Sequence, residues 1–155
     1  MAKTYRVGPR ARMTNLPFKV MTRLGLGARY RHLLTVRGRR TGELHTVPVD
    51  VMQVGDHRWL VAPYGVVGWV HNARASREAT LSRGRRRERV TLDEVGALES
   101  VPVLRAYHRD VEVARPYFDV TTGSSAGEFA VEAARHPVFR VERAHANREQ
   151  PSTVG

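Results

Sequence analysis

A chain of 155 residues suits one domain around one core, and a hydrophobic fraction of 41% is enough to fill it. The absence of cysteine excludes disulfides, thiolate metal sites and cysteine nucleophiles, and no apolar run reaches the ~18 residues of a membrane span. The net charge is +11, from 26 Lys+Arg against 15 Asp+Glu, and Lys3 and Lys19 are the only lysines.

Part of the arginine excess is compositional bias, so its placement says more than its size. Residues 29–40 hold Arg29, Arg31, Arg37, Arg39 and Arg40 with no acid, and residues 74–89 hold Arg74, Arg77, Arg83, Arg85, Arg86, Arg87 and Arg89 against Glu78 and Glu88. Such runs attract polyanions: nucleic acid, acidic lipid or a phosphorylated cofactor. The aromatic residues are not interleaved with the arginines on one strand face as base stacking would want, so no specific nucleic-acid partner is expected. The start of the chain is basic but no apolar stretch follows it, which points to a cytoplasmic protein.

In chain order, residues 1–13 lack periodicity and read as a flexible arm, residues 14–143 as one domain, and residues 144–155 as a disordered tail. Thr14 or Asn15 can cap a helix with Pro17 in its first turn, Phe18, Met21 and Leu24 at helical spacing, and Gly25 and Gly27 at its end. That helix either packs on the core or lies on a membrane surface as a basic amphipathic stretch, a peripheral contact through residues 14–27. Arg31–Arg37, Glu43–Val54 and His57–Ala62 alternate as strands, with Gly55-Asp56 as a tight turn. Pro48 argues for an edge position or a bulge. Val66–Ser76 follows as a helix, and Ala79–Arg83 and Arg87–Leu92 form a hairpin around Gly84. A helix from Ser100 to about Val113 is expected, with Pro102 in its first turn. A second runs from the capping box Ser125–Glu128 to about Arg135 and is stopped by His136-Pro137. Val138–Val141 then returns as a last strand. The fold class is α+β, mainly β: a small barrel with flanking helices.

The histidines show no ligand spacing beside carboxylates, so no metal is expected. There is no G-x-S-x-G elbow, no Walker loop and no G-x-G-x-x-G. What remains is Gly38-Arg39-Arg40-Thr41-Gly42. Gly38 and Gly42 permit a tight turn, Arg39 and Arg40 offer planar bidentate donors for phosphate, Thr41 adds a hydroxyl, and backbone N–H groups can point at an anion. The plainer reading of the same residues is a hairpin with exposed arginines.

The run Leu34–Gly42 with Thr46-Val47-Pro48-Val49 resembles the strand–turn–strand of the actinobacterial deazaflavin-dependent nitroreductase and quinone reductase family. So does Leu60-Val61-Ala62-Pro63-Tyr64-Gly65 leading to Trp69-Val70-His71-Asn72, and the resemblance extends over roughly residues 14–142. It implies a split β-barrel of the FMN-binding type and coenzyme F-420, with FMN or no cofactor as alternatives. It also implies hydride transfer to a quinone, nitro or enone acceptor, and a homodimer. On it, Gly38, Arg39, Arg40, Thr41, Gly42 and Pro48 belong to the cofactor site. Val61, Ala62, Pro63, Tyr64 and Gly65 would lie along the deazaflavin, and Trp69 and Asn72 would line the pocket. For such a hydride transfer Tyr64 or His71 is the candidate proton donor, with Tyr107 and Tyr117 behind. Better-known members carry Ser-Lys-Gly-Gly where this chain has Pro63-Tyr64-Gly65-Val66. Some branches of the family bind fatty acids or other lipids without catalysis, which is the alternative function.

Overall fold

The computed structural model describes Ala2 and residues 29–144. The expected helix over residues 14–27 lies outside the described residues, as do residues 145–155 of the tail and nearly all of the arm. Six antiparallel strands close into a barrel: β1 (Arg31–Arg37), β2 (Leu44–Val54), β3 (His57–Val61), β4 (Glu78–Arg83), β5 (Arg86–Glu94) and β6 (Val138–Arg143), in the order β1-β2-β3-β6-β5-β4. Among the described residues three helices flank it: α1 (Gly68–Ser76), α2 (Ala97–Asp110) and α3 (Ala126–Glu132). A 3₁₀ turn, Glu112–Tyr117, links α2 to the segment before α3.

Side-chain alternation builds two cores from the same strands. Leu34, Val49, Val51, Leu60, Ala62, Leu81, Val90, Leu92, Phe139 and Val141 point inward, and Val70 and Ala73 of α1 pack with them. Met52, Trp59 and Val61 face outward and are covered by Val103, Leu104 and Tyr107 of α2 and Phe129 of α3. Both faces of β2 and β3 are thus apolar, while β1 keeps Thr35 and β4 keeps Thr80 and Ser82 outside.

The turns follow from glycine. β2–β3 and β4–β5 each close through two residues, with Gly55 at φ +62° and Gly84 at φ +58° in the first central place. Positive φ at the first central residue alone gives the twist of a II′ turn. Pro48 pairs with Leu33 of β1, whereas β3 meets β2 only at Val51–Val54, so Pro48 has a neighbouring strand on one side only. The edge position expected from its missing N–H is met locally.

Three boundaries differ from expectation. Helix α1 begins at Gly68 rather than Val66, because Gly65 sits at φ +89° and the Val67 N–H turns back to the Gly65 carbonyl. Helix α2 begins at Ala97, with Ser100 inside it donating to the Gly96 carbonyl, so Pro102 falls in the second turn rather than the first. Helix α3 stops at Glu132, and residues up to His136 turn back onto the Glu132 carbonyl. Its start is as expected: Ser125 Oγ accepts from the Glu128 N–H and donates to the Glu128 carboxylate.

Candidate cofactor and active site

The turn between β1 and β2 is held from inside. The Gly38 N–H donates to the Glu43 carbonyl at 2.7 Å, Gly42 N–H to the Gly38 carbonyl at 3.0 Å, and Glu43 N–H to Thr41 Oγ1 at 3.2 Å. Arg37 Nη1 closes it against the Gly42 carbonyl at 2.6 Å. Gly38 has to be glycine for space: a Cβ there would stand 2.9 Å from His45 Nε2 and 3.2 Å from the Glu43 carbonyl. Gly42 has to be glycine for conformation, at φ +75°.

Asn72 anchors the turn to α1. It is buried, and its Oδ1 accepts both the Arg39 backbone N–H at 3.1 Å and Arg39 Nη1 at 3.0 Å. Thirty-three residues of sequence separation are bridged by one amide oxygen. With Gly38, Arg39, Gly42 and Glu43 satisfied internally, the N–H groups of Arg40 and Thr41 and the exposed Arg40 guanidinium keep no partner among the described residues. Two adjacent N–H donors and a planar cation, with Thr41 Oγ beside them, match a phosphate or carboxylate chemically. The donor set therefore fits the anionic end of a phosphorylated, carboxylate-bearing cofactor.

The segment before α1 is built differently. Val61 and Ala62 are fully buried, Val61 on the outer core and Ala62 on the inner one. The Ala62 N–H donates to the Pro137 carbonyl, and Gly65 lies where a Cβ would meet the Arg135 carbonyl at 3.4 Å. The exposed parts are Tyr64, 38% accessible, and Val66. The Tyr64 ring stands edge-on to Tyr117, centroids 4.9 Å apart. Trp69 is half-buried and packs on Phe139 with centroids 5.7 Å apart, so it closes the barrel end. His71 faces solvent on α1. The structure thus brings Arg39 and Asn72 together, and Tyr64 with Tyr117. Pro48 stays in the middle of the β1–β2 ladder, away from the turn.

Two buried polar groupings were not read from the sequence. His136, 4% exposed, places Nδ1 3.1 Å from the Ala62 carbonyl and Nε2 3.0 Å from the Tyr117 carbonyl, with Glu132 Oε2 at 3.2 Å and Phe118 stacked on the ring. It ties together the two segments that carry the Tyr64–Tyr117 pair. Burial pushes its imidazole below the ordinary value, against the Ala62 carbonyl and the Glu132 carboxylate. Asp50 accepts from Tyr107 Oη at 2.8 Å and from Arg31 Nε at 2.7 Å, joining α2 to the barrel. Burial, and then the Asp50 carboxylate, push the Tyr107 phenol far up, so it stays protonated. The only signal of the first was His136-Pro137 after a helix, which reads equally as a stop. The second pairs residues 57 positions apart and leaves no local trace.

Among the described residues no group of His, Asp and Glu could hold a metal ion, and no helix is long and apolar enough to cross a membrane. A surface depression of about 240 Å³ lies along the C-terminal half of α1 and is lined by the Arg74–Glu94 and Arg77–Asp93 ion pairs, with no residue of the β1–β2 turn in its lining.

The chain resembles several solved structures in fold. One is described as a domain-swapped dimer: 17% identity, TM-score 0.52, 87% of this chain and all of the other covered. A second is an F420-H2 dependent reductase: 23% identity, TM-score 0.50, 74% of this chain and 95% of the other. A third is an FAD-binding protein from Mesorhizobium loti: 14% identity, TM-score 0.50, 83% and 87% covered. These likenesses are in fold: the barrel shares the split-barrel architecture of these neighbours. No curated protein matches the chain in sequence. The model of one family, F420H(2)-dependent quinone reductase, matches residues 11–127. With well over half its length matched, the chain belongs to the F420H(2)-dependent quinone reductase family, and coenzyme F-420 is its cofactor.

Proposed function

We propose that this protein is a cytoplasmic, homodimeric reductase that passes hydride from reduced coenzyme F-420 to a quinone, and on the same chemistry to nitro or enone acceptors. The observation that carries the reading is the donor set of Arg40 and Thr41, without partners among the described residues, on a turn braced by Asn72. When bound, the reduced cofactor supplies the hydride. Arg40, the N–H groups of Arg40 and Thr41, and the Thr41 hydroxyl hold its anionic end. Arg39, fixed by Asn72, adds charge beside them. Pro63, Tyr64 and Gly65 offer the surface along its ring, set in place by Ala62 and His136. Tyr64 is the proton donor for the reduced acceptor, being exposed at the site edge; His71, solvent-facing on the neighbouring helix, is the second candidate. The arrangement needs no nucleophile and no metal.

Support for a dimer comes from the neighbour described as a domain-swapped dimer, and light scattering on the purified protein tests it. The acceptor is tested by turnover with reduced coenzyme F-420 and a panel of a short-chain quinone, a nitroaromatic and a cyclic enone. Quinone turnover that falls at least about tenfold in Tyr64→Phe, with cofactor affinity kept, supports the reading. Turnover of none of the three overturns it.

A further inference from the structure

The β4–β5 hairpin plays no part in the site above, yet it carries the densest charge of the molecule. Residues 83–89 hold five arginines and one acid. That acid, Glu88, is already claimed: Arg58 grips both its oxygens at 2.8 Å, and Arg143 adds a contact at 3.1 Å. Arg85, Arg86, Arg87 and Arg89 are exposed, and their guanidinium groups have no ion-pair or hydrogen-bond partner among the described residues. Arg86 continues the row of Glu88 at the barrel rim, while Arg87 and Arg89 alternate onto the outer face. There they pair across the strands with Ser82 and Thr80, and Thr80 in turn with Thr35 of β1. Alternate residues on a strand lie about 7 Å apart, inside one Debye length, so these cations repel one another with no internal compensation.

We propose that this hairpin is a docking surface for an anionic phospholipid bilayer. The occupant is chosen by charge complementarity and by surface chemistry: the outer face is basic and hydroxyl-rich. Residues 78–94 contain no aromatic side chain on which bases could stack. The choice of lipid rests on the quinone reading, since an apolar quinone partitions into the bilayer and a reductase held at that surface meets it at high local concentration.

The test is sedimentation of the full-length chain with vesicles of phosphatidylcholine, alone or with about a third phosphatidylserine, at low and high salt. The expected result is binding to the anionic vesicles only, lost at high salt. It should be weakened at least about tenfold in the triple variant Arg85→Ser, Arg87→Ser, Arg89→Ser, from a contribution of roughly fivefold per arginine. Arg109→Ser, which removes an exposed arginine already paired with Asp110, should bind like the parent. Equal binding of parent and triple variant overturns the assignment, as does tighter binding to an oligonucleotide than to vesicles. Turnover of a soluble quinone by the triple variant should match the parent. Absence of that turnover in the parent itself would count against the quinone reading, whereas the vesicle result bears on the hairpin alone.

Discussion

Asn72 is one buried amide with two donors on one oxygen, and the turn's geometry hangs on it. Asn72→Ala removes the acceptor and leaves the Arg39 N–H without a partner, which should cost about 1–3 kcal/mol in urea unfolding. Asn72→Asp keeps the acceptor and adds a charge that binds Arg39 more strongly. Its stability should stay nearer the parent while its affinity for coenzyme F-420 falls, because a carboxylate beside the anion site repels the ligand. If Asn72→Asp bound the cofactor as tightly as the parent, the turn would not be where the anion sits. The turn that carries the proposed site was legible in the sequence, because Gly38 and Gly42 bracket it between two alternating runs. Their bracing was not. An Arg39–Asn72 bond spans two elements whose periodicities say nothing of each other, and the same holds for His136 against Ala62 and Tyr117.

At the level of elements, the β1–β2 turn shows why spacing carries information. Gly38→Ala would push a methyl against His45 Nε2 and the Glu43 carbonyl. The imidazole can swing away, but the carbonyl is held by the Gly38 N–H itself. The substitution should cost about 1–3 kcal/mol in thermal or urea unfolding, with His45→Ala recovering only part of it. Full recovery would mean that the backbone, and so the anion-binding shape, is softer than described. Strands were readable because β1, β2 and β3 alternate and end at glycine turns. Helix starts were less so: Gly96 gives no side-chain cap, and Ser100, the stronger sequence signal, turns out to bond backward from inside α2. Closure of β1 onto β4 has no local signature, since it depends on α1 crossing the barrel end between β3 and β4.

The whole molecule should respond to pH through half-buried His32 and buried His108 and His136. His32, His108 and His136 all lie below their ordinary value, each chiefly through burial. An unfolded histidine titrates near 6.5, so the unfolded chain takes up protons first as pH falls, and stability drops from about pH 6.5 downward until the folded values are passed. Glu88 and Asp110 are depressed by Arg58 and Arg109 respectively, so their loss comes only further down, below about pH 4.5. Thermal unfolding between pH 7 and 5 should therefore show a falling Tm, and a flat profile there would mean that these rings are not buried as described.

The central claim is that coenzyme F-420 binds with its anionic end on Arg40 and Thr41. The most direct measurement is a fluorescence titration of purified protein with oxidised coenzyme F-420, with FMN and oleate in parallel. Saturable binding is predicted, weakened about tenfold or more in Arg40→Ala, the scale of one charge-assisted contact, with FMN and oleate binding more weakly. Tight oleate binding without deazaflavin binding, or an Arg40→Ala protein that binds the deazaflavin as well as the parent, would contradict it.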